Sequence, residues 1–206
     1  MDLNKFQELP VLAILRGVNK RHVLPLFNTF IKTGLRTVEI TLNTPNALDL
    51  ISYTKTLFKN KLVIGAGTVL TLEQAKEAVR AGATFLVAPN FNISIAKYCV
   101  KHKIPFFPGA LTPSEIYTAW DNGASMVKVF PAGLFGPKYF KDIKGPFQDI
   151  KLMAVGGVTP KNLRQYFKNG ASAVAFGITK KALDKEDWET IRHKTELYVK
   201  SFKTEQ

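Results

Sequence analysis

The sequence predicts an α/β fold, a single-domain (β/α)8 barrel over residues 1–206, and three observations lead there. Short runs rich in β-branched residues alternate with segments of helical pattern; there are eight such runs; and a unit led by glycine recurs at every second one. Strand–helix alternation favours a parallel sheet, and eight such units are the number that closes one into a ring near the lower length limit of the architecture, about 200 residues. A hydrophobic content of 46% in 206 residues is ample for one core, and no Pro/Gly/Ser-rich stretch divides the chain.

The strand candidates, in order, are "VLAILRG" (11–17), "TVEITL" (37–42), "LVIGAGTV" (62–69), "FLVAP" (85–89), "PFFPGAL" (105–111), "MVKVF" (126–130), "KLMAVGG" (151–157) and "AVAFG" (173–177). Between them lie helical patterns. "TLEQAKEAVRAGA" (71–83) and "TPKNLRQYFKNGA" (159–171) each open with a threonine suited to an N-cap and close on a glycine suited to the C-terminal end. The repeated unit is "GLRTVEI" from Gly34, "GATFLVA" from Gly82, "GASMVKV" from Gly123 and "GASAVAF" from Gly170. Its glycine ends a helix and its apolar run is an even-numbered strand.

Five residues after each of these glycines stand Glu39, Val87, Lys128 and Ala175. Alternate strands of such a barrel build one interior layer from four side chains, so the spacing puts a carboxylate and an amine into the same layer. Strand parity agrees: Val38, Ile40 and Leu42 face the helices, whereas Glu39, Thr41 and Asn43 face inward. A buried ion pair that only fills space is the competing reading, but desolvation of both ions can exceed their attraction, which makes such a pair a poor route to stability.

An ordinary lysine, with pKa about 10.4, is almost wholly protonated near pH 7; bringing it to about 7 disfavours the ammonium by ~4.6 kcal/mol. Apolar neighbours and a nearby cation can do this, and Arg16, at the end of the first strand, is the candidate cation. A neutral amine at a barrel mouth attacks ketones to give a Schiff base, and a nearby carboxyl group such as Glu39 can shuttle the protons. This chemistry needs no metal and no cofactor. His22, His102 and His193 are scattered, and Cys99 with His102 lacks the further ligands of a zinc site, so Cys99 reads as a helix cysteine. Gly156, Gly157 and Gly177 end the last two strands, where loops of this architecture commonly hold phosphate through backbone N–H groups; ordinary tight turns are the alternative.

The formal charge of +13 allows either a nucleic-acid partner or an anionic small substrate. Lys55, Lys59, Lys61, Lys97, Lys101 and Lys103 lie near predicted helix ends rather than in one stripe interleaved with aromatics, so solvated faces are expected and no nucleic acid. The charged N-terminal stretch lacks the apolar centre of a signal peptide, and no uncharged run approaches membrane-spanning length; the expectation is a soluble, cytoplasmic protein without a membrane partner.

Arg16 in "AILRG", Glu39 in "VEITLNTP", "IGAGTVL", "FFPGALTPSE", Lys128 in "VKVFPA" and "AVGGVTPKN" together resemble the 2-keto-3-deoxy-6-phosphogluconate (KDPG) / 4-hydroxy-2-oxoglutarate (KHG) aldolase family, in order along nearly the whole chain. The resemblance implies a class I aldolase of TIM-barrel fold, usually a homotrimer, that cleaves a phosphorylated keto-acid sugar to pyruvate and glyceraldehyde 3-phosphate. It implies that Lys128 forms the Schiff base and Glu39 transfers protons. Arg16 and Thr68 match contacts to the pyruvyl end, Gly157 and Gly177 match the phosphate loops, and Pro131 of "VKVFPA" joins the substrate-contacting set. "LNTP" and "AVGGVTP" resemble the 2-dehydro-3-deoxy-6-phosphogalactonate branch: the gluconate branch often has Arg where Asn43 stands and Thr where Val155 stands. Those substrates are epimers at C4, where a threonine hydroxyl could bond one configuration and valine could not. Ile178 replaces the family's usual Ser after the eighth-strand glycine and removes a hydroxyl donor to phosphate, leaving backbone amides with Thr179 or Lys180.

A phosphate-binding barrel isomerase or synthase, in which Lys128 only pairs with a substrate anion, and a basic nucleic-acid-binding protein are the rival readings. Neither accounts for two charged positions inside the ring.

Overall fold

Nine short parallel strands form one sheet in the order β5-β4-β3-β2-β1-β9-β8-β7-β6 in the computed structural model, which describes residues 1–203. The strands are β1 Val11–Leu15, β2 Thr37–Thr41, β3 Val63–Gly67, β4 Leu86–Val87, β5 Phe106–Phe107, β6 Gly109–Ala110, β7 Val127–Val129, β8 Leu152–Val155 and β9 Ala173–Ile178. β4 pairs with β5, and β6 with β7. Only Pro108 lies between β5 and β6, so the ring closes through the chain itself. The run at 105–111, expected as one strand, is thus two. Proline has no N–H to give the ladder, which lapses there, although the Pro108 carbonyl still accepts from Lys128 N–H at 2.8 Å.

Around the ring lie α2 Lys20–Thr33, α3 Ala47–Leu57, α4 Leu72–Arg80, α5 Ile93–Lys101, α6 Pro113–Asp121, α7 Pro137–Lys144, α8 Leu163–Lys168, α9 Lys180–Asp184 and α10 Trp188–Lys203. They start and stop for local reasons. Thr71 and Thr112 accept from Gln74 and Glu115 N–H, and those side chains reach back to the cap, satisfying donors no helix can pair internally. The four glycines that lead the repeat have φ of +86° to +105°, a region that costs a residue with Cβ, and so turn each chain from helix into strand. The pattern at 159–171 departs from expectation: Thr159 and Asn162 exchange side-chain-to-backbone bonds across a turn, and α8 begins only at Leu163.

Alternation along the strands sorts the apolar side chains into two bodies. Val11, Ala13, Leu15, Val38 and Ile40 belong to the outer core under the helices, with buried Cys99. Leu12, Phe85, Val87, Phe107, Met126, Met153, Val155, Ala173 and Ala175 fill the inside. Register aligns Ile14 with Glu39 and Glu39 with Gly65. The layers follow: Phe85, Met126 and Ala173, two residues before the expected charged layer, are apolar and, with the buried Thr37, lie toward the N-terminal end.

That end is closed by a helix not anticipated from the sequence, α1 Leu3–Gln7, capped by Asp2. Its Phe6 is buried and stacks on Phe107 with ring centroids 6.3 Å apart, while Phe107 meets Phe85 at 5.6 Å. These aromatics make the lower barrel a packed core. Phe6→Ala should lower the free energy of unfolding by about 3–5 kcal/mol, the range for a buried phenylalanine, as read from urea denaturation; a loss under 1 kcal/mol would mean that α1 is not a plug.

Candidate active site

The upper half of the barrel is built differently, because the side chains that would fill it are small. A Cβ on Gly65 would lie 2.3 Å from the Phe85 ring, and one on Gly67 would lie 2.4 Å from Oε1 of Glu39. Gly67 therefore leaves the space that the Glu39 carboxyl group occupies. Glu39 is 1% exposed and Lys128 7% exposed, on β2 and β7. Oε2 of Glu39 has no hydrogen-bond partner, an uncommon state for a buried carboxyl oxygen.

Burial sets the acidity of both groups. Loss of water raises the Glu39 carboxyl to about 7, against opposing pulls from the Lys128 and Arg16 charges. Burial also lowers the Lys128 ammonium; Glu39 works against that shift and Arg16 with it. The amine stands over the Phe130 ring, 5.1 Å from its centroid. An acid poised near neutrality and an amine biased toward its neutral form thus share one water-poor layer.

A cavity of about 410 Å³ opens at the C-terminal ends of the strands. The structure brings Arg16, Val155, Gly156, Gly157, Gly177 and Ile178 to its wall, and Ala175 also lines it. Ala175 is the residue that the glycine spacing groups with Glu39 and Lys128, but those two side chains themselves are not in the cavity wall. Val155 is 3% exposed and part of the inner cluster, with its side chain toward the site.

Gly156 and Gly157 have φ of +84° and +79°. A Cβ at Gly157 would sit 2.7 Å from Gly133 Cα, and Gly133 N–H donates to the Gly156 carbonyl at 2.8 Å. That contact joins the loop after β8 to the 3-10 turn Ala132–Leu134 following β7, and holds Pro131, which follows a cis Phe130–Pro131 bond, beside it. Ile178 alternates with Gly177: its side chain packs in the outer core, and its main chain borders the cavity. Lys180 also lines the wall, its ammonium 2.5 Å from Asp184 Oδ2, and Lys194 Nζ donates to the Gly177 carbonyl at 3.0 Å.

Five of the residues singled out do not line this cavity: Glu39 and Lys128, buried inside the ring, Pro131 beside the loop after β8, and Thr68 and Asn43 at the same end. Thr68 follows β3 with φ +55°, a left-handed conformation rare for a β-branched residue and of the kind that collects at functional sites. Asn43 corrects the parity reading. β2 ends at Thr41, so alternation no longer applies at Asn43, which lies exposed in the following turn.

Some supporting residues carried no signal of their own. Thr41 Oγ1 bonds to the Leu15 carbonyl at 3.3 Å and lies 3.1 Å from Thr44 Oγ1, which accepts from Gly17 N–H at 3.0 Å. This chain fixes the end of β1, and with it Arg16, against the turn after β2. Phe130 does double duty as cavity wall and as the surface under the amine; only its place two residues after Lys128 hinted at this. Among the described residues no cluster of three His, Cys, Asp or Glu side chains could hold a metal ion, and no helix is long and apolar enough to cross a membrane.

A model of the KDPG and KHG aldolases matches residues 3–194. The chain is 37% identical over 171 residues to the 2-dehydro-3-deoxy-6-phosphogalactonate aldolase of Escherichia coli K12, covering 82% of this chain and 83% of that protein. It is 35% identical over 196 residues to the 2-dehydro-3-deoxy-phosphogluconate aldolase of Haemophilus influenzae, covering 92% and 91%. Among solved structures, native KDPGal superposes with a TM-score of 0.90 at 33% identity over 96% of both chains. The Legionella pneumophila KDPG aldolase, with pyruvate captured as a covalent carbinolamine, superposes with a TM-score of 0.84 at 29% identity over 92% and 93%. By sequence along almost its whole length and by the shape of its barrel, the chain belongs to the KDPG and KHG aldolase family and is a carbon–carbon lyase.

Proposed function

We propose that the chain is a Schiff-base aldolase that cleaves 2-dehydro-3-deoxy-6-phosphogalactonate reversibly to pyruvate and D-glyceraldehyde 3-phosphate. The observation that carries the reading is the shared layer of Lys128 and Glu39, with burial moving the two groups' acidities toward each other. Identity to the galactonate aldolase supports the substrate.

In this mechanism neutral Lys128 Nζ attacks the C2 ketone, and protonated Glu39 supplies the proton that lets carbinolamine water leave. The iminium is the electron sink. The Glu39 carboxylate takes the C4 hydroxyl proton, the C3–C4 bond breaks, and the electron pair becomes the enamine of bound pyruvate while the aldehyde departs. Glu39 then returns its proton to C3, and water frees pyruvate. Arg16 serves the substrate carboxylate, with Thr68 nearby. The phosphate lies toward Gly156, Gly157, Gly177 and the Ile178 main chain, with Lys180 in the wall as an added cation. Val155, with no hydroxyl, faces C4. We take the working form to be a cytoplasmic homotrimer; Leu134 at 71% and Phe135 at 56% exposure, beside the mouth, supply apolar surface for such contacts.

Borohydride added with pyruvate should leave a stable adduct on Lys128, detectable by peptide mass, and Lys128→Ala should neither trap nor turn over; trapping at another lysine would remove the proposal's nucleophile.

Glu39→Gln should slow turnover by about 10²- to 10⁴-fold, the usual worth of a positioned acid–base group. It should also change stability with a definite sign. A folded-state pKa raised from 4.5 to about 7 means that the stability Glu39 contributes is present below pH 4.5 and lost as pH rises through 7. The variant escapes that loss, so relative to wild type it should gain about 3 kcal/mol between pH 4 and pH 8 in urea unfolding. An active variant with an unaltered stability profile would assign the proton transfers elsewhere.

Val155→Thr should move the ratio of kcat/KM for the galactonate and gluconate substrates at least tenfold toward the gluconate, in a coupled assay run on both; an unchanged ratio would remove Val155 from C4 discrimination.

A further inference from the structure

At the opposite end of the barrel lies a second cavity, of about 790 Å³, bordered by Thr37 and Val63 at the starts of β2 and β3 and by Thr84 just before β4. It shares no lining residue with the mouth. Five lysines converge on it from four places: Lys5 on α1, Lys55 on α3, Lys59 and Lys61 in the turn between α3 and β3, and Lys203 at the end of α10. None of the five is in an ion pair among the described residues.

Among the described residues the negative charge available to them is small. Two carboxylates among the described residues border the cavity, Asp2 and Glu8, and Asp2 is occupied in capping α1, accepting from Asn4 and Lys5 N–H at 2.9 and 3.2 Å. Arg36 is also spent locally, its Nη1 donating to the Ile31 and Leu35 carbonyls. What remains is a concave, cationic surface with an apolar floor of Leu9, Ile31 and Leu62.

We propose that this cavity is an oligophosphate-binding site, separate from the aldolase mouth, for a small molecule carrying two or more linked phosphates. Its volume is within the range of small-molecule pockets. Lysines bordering the cavity on several sides suit several anionic groups held as point charges, where a single bidentate anion would be met by arginine. Among the described residues the one aromatic side chain in the lining, Phe6, is buried against the barrel core, so they supply no stacking platform of the kind single-stranded nucleic acid uses.

The test is calorimetric titration of the full chain at 0.15 M salt with inorganic tripolyphosphate, ATP and inorganic phosphate. Tripolyphosphate or ATP should bind at least tenfold tighter than phosphate; preference for ATP over tripolyphosphate would identify a nucleotide, and the reverse an inorganic chain. The Lys55→Ala/Lys59→Ala/Lys61→Ala variant, with its melting temperature checked, should lose at least tenfold in affinity. A charge-matched variant on another face, Lys76→Ala/Lys97→Ala/Lys101→Ala, should lose less than twofold, and saturating pyruvate should not compete. Equal losses in both variants would make the attraction a property of net charge, displacement by pyruvate would put the ligand in the mouth, and binding no tighter than phosphate would leave no site; each overturns the proposal.

Discussion

The upper barrel depends on one constraint: two ionisable side chains share a layer from which water is excluded. A carboxyl group on β2 and an amine on β7 cannot be kept there as hydrated ions. The fold responds by leaving one carboxyl oxygen unbonded and raising that group to about 7, while burial lowers the amine. Full charge on both would draw them into a pair that ties up the amine. Near pH 7 the carboxyl group is instead divided between its two forms, which weakens its hold on the lysine and lets one residue both give and take protons.

Room for that layer comes from residues with almost no side chain. Gly65 yields to the Phe85 ring, and Gly67 yields to the carboxyl group of Glu39 itself. Below this level the same alternation delivers Phe85, Phe107, Met126 and Met153, with Phe6 pressed in from α1. The barrel is therefore divided along its axis. Large apolar side chains supply stability at the N-terminal end, and glycine and alanine leave space at the C-terminal end, so cohesion and chemistry do not compete for the same volume.

How much of this could be read in advance follows from the range of the forces involved. Strand parity is local, so the inward direction of Glu39 and the outward direction of Val38 and Ile40 followed from alternation alone. The recurring glycine carried the layer, because a helix-ending residue with positive φ sets the start of each even strand and hence its register. Where strand geometry stops, the reading stopped as well: Asn43 is two residues beyond the end of β2, and period two has no meaning in a turn. Pro108 was visible in the sequence, but its consequence, a strand in two pieces, depends on the pairing on either side. α1 is five residues with one buried side chain, too short for a helical period to register. The bordering of one cavity by Arg16, Val155 and Ile178 is a property of ring closure, which brings β1 beside β9 and β9 beside β8.

Ring closure also explains the lysines at the lower face. Along the sequence Lys5, Lys59 and Lys203 lie far apart, and Lys59 reads as an ordinary solvated helix-end cation. A parallel barrel gathers every helix-to-strand connection at one end and every strand-to-helix connection at the other. Cations at the C-terminal ends of helices, which the helix dipole favours individually, therefore accumulate on a single face. That topological bias accounts for a basic lower surface in general, but not for lysines around a concavity whose few carboxylates are partly engaged elsewhere. The field they generate is directed into a space of molecular size, and screening at physiological salt, with a Debye length of about 8 Å, leaves it effective over the width of that space and little beyond. A charge distribution of that kind acts on what enters the cavity rather than on the approach of distant partners, which is why a compact polyanion fits it better than an extended one.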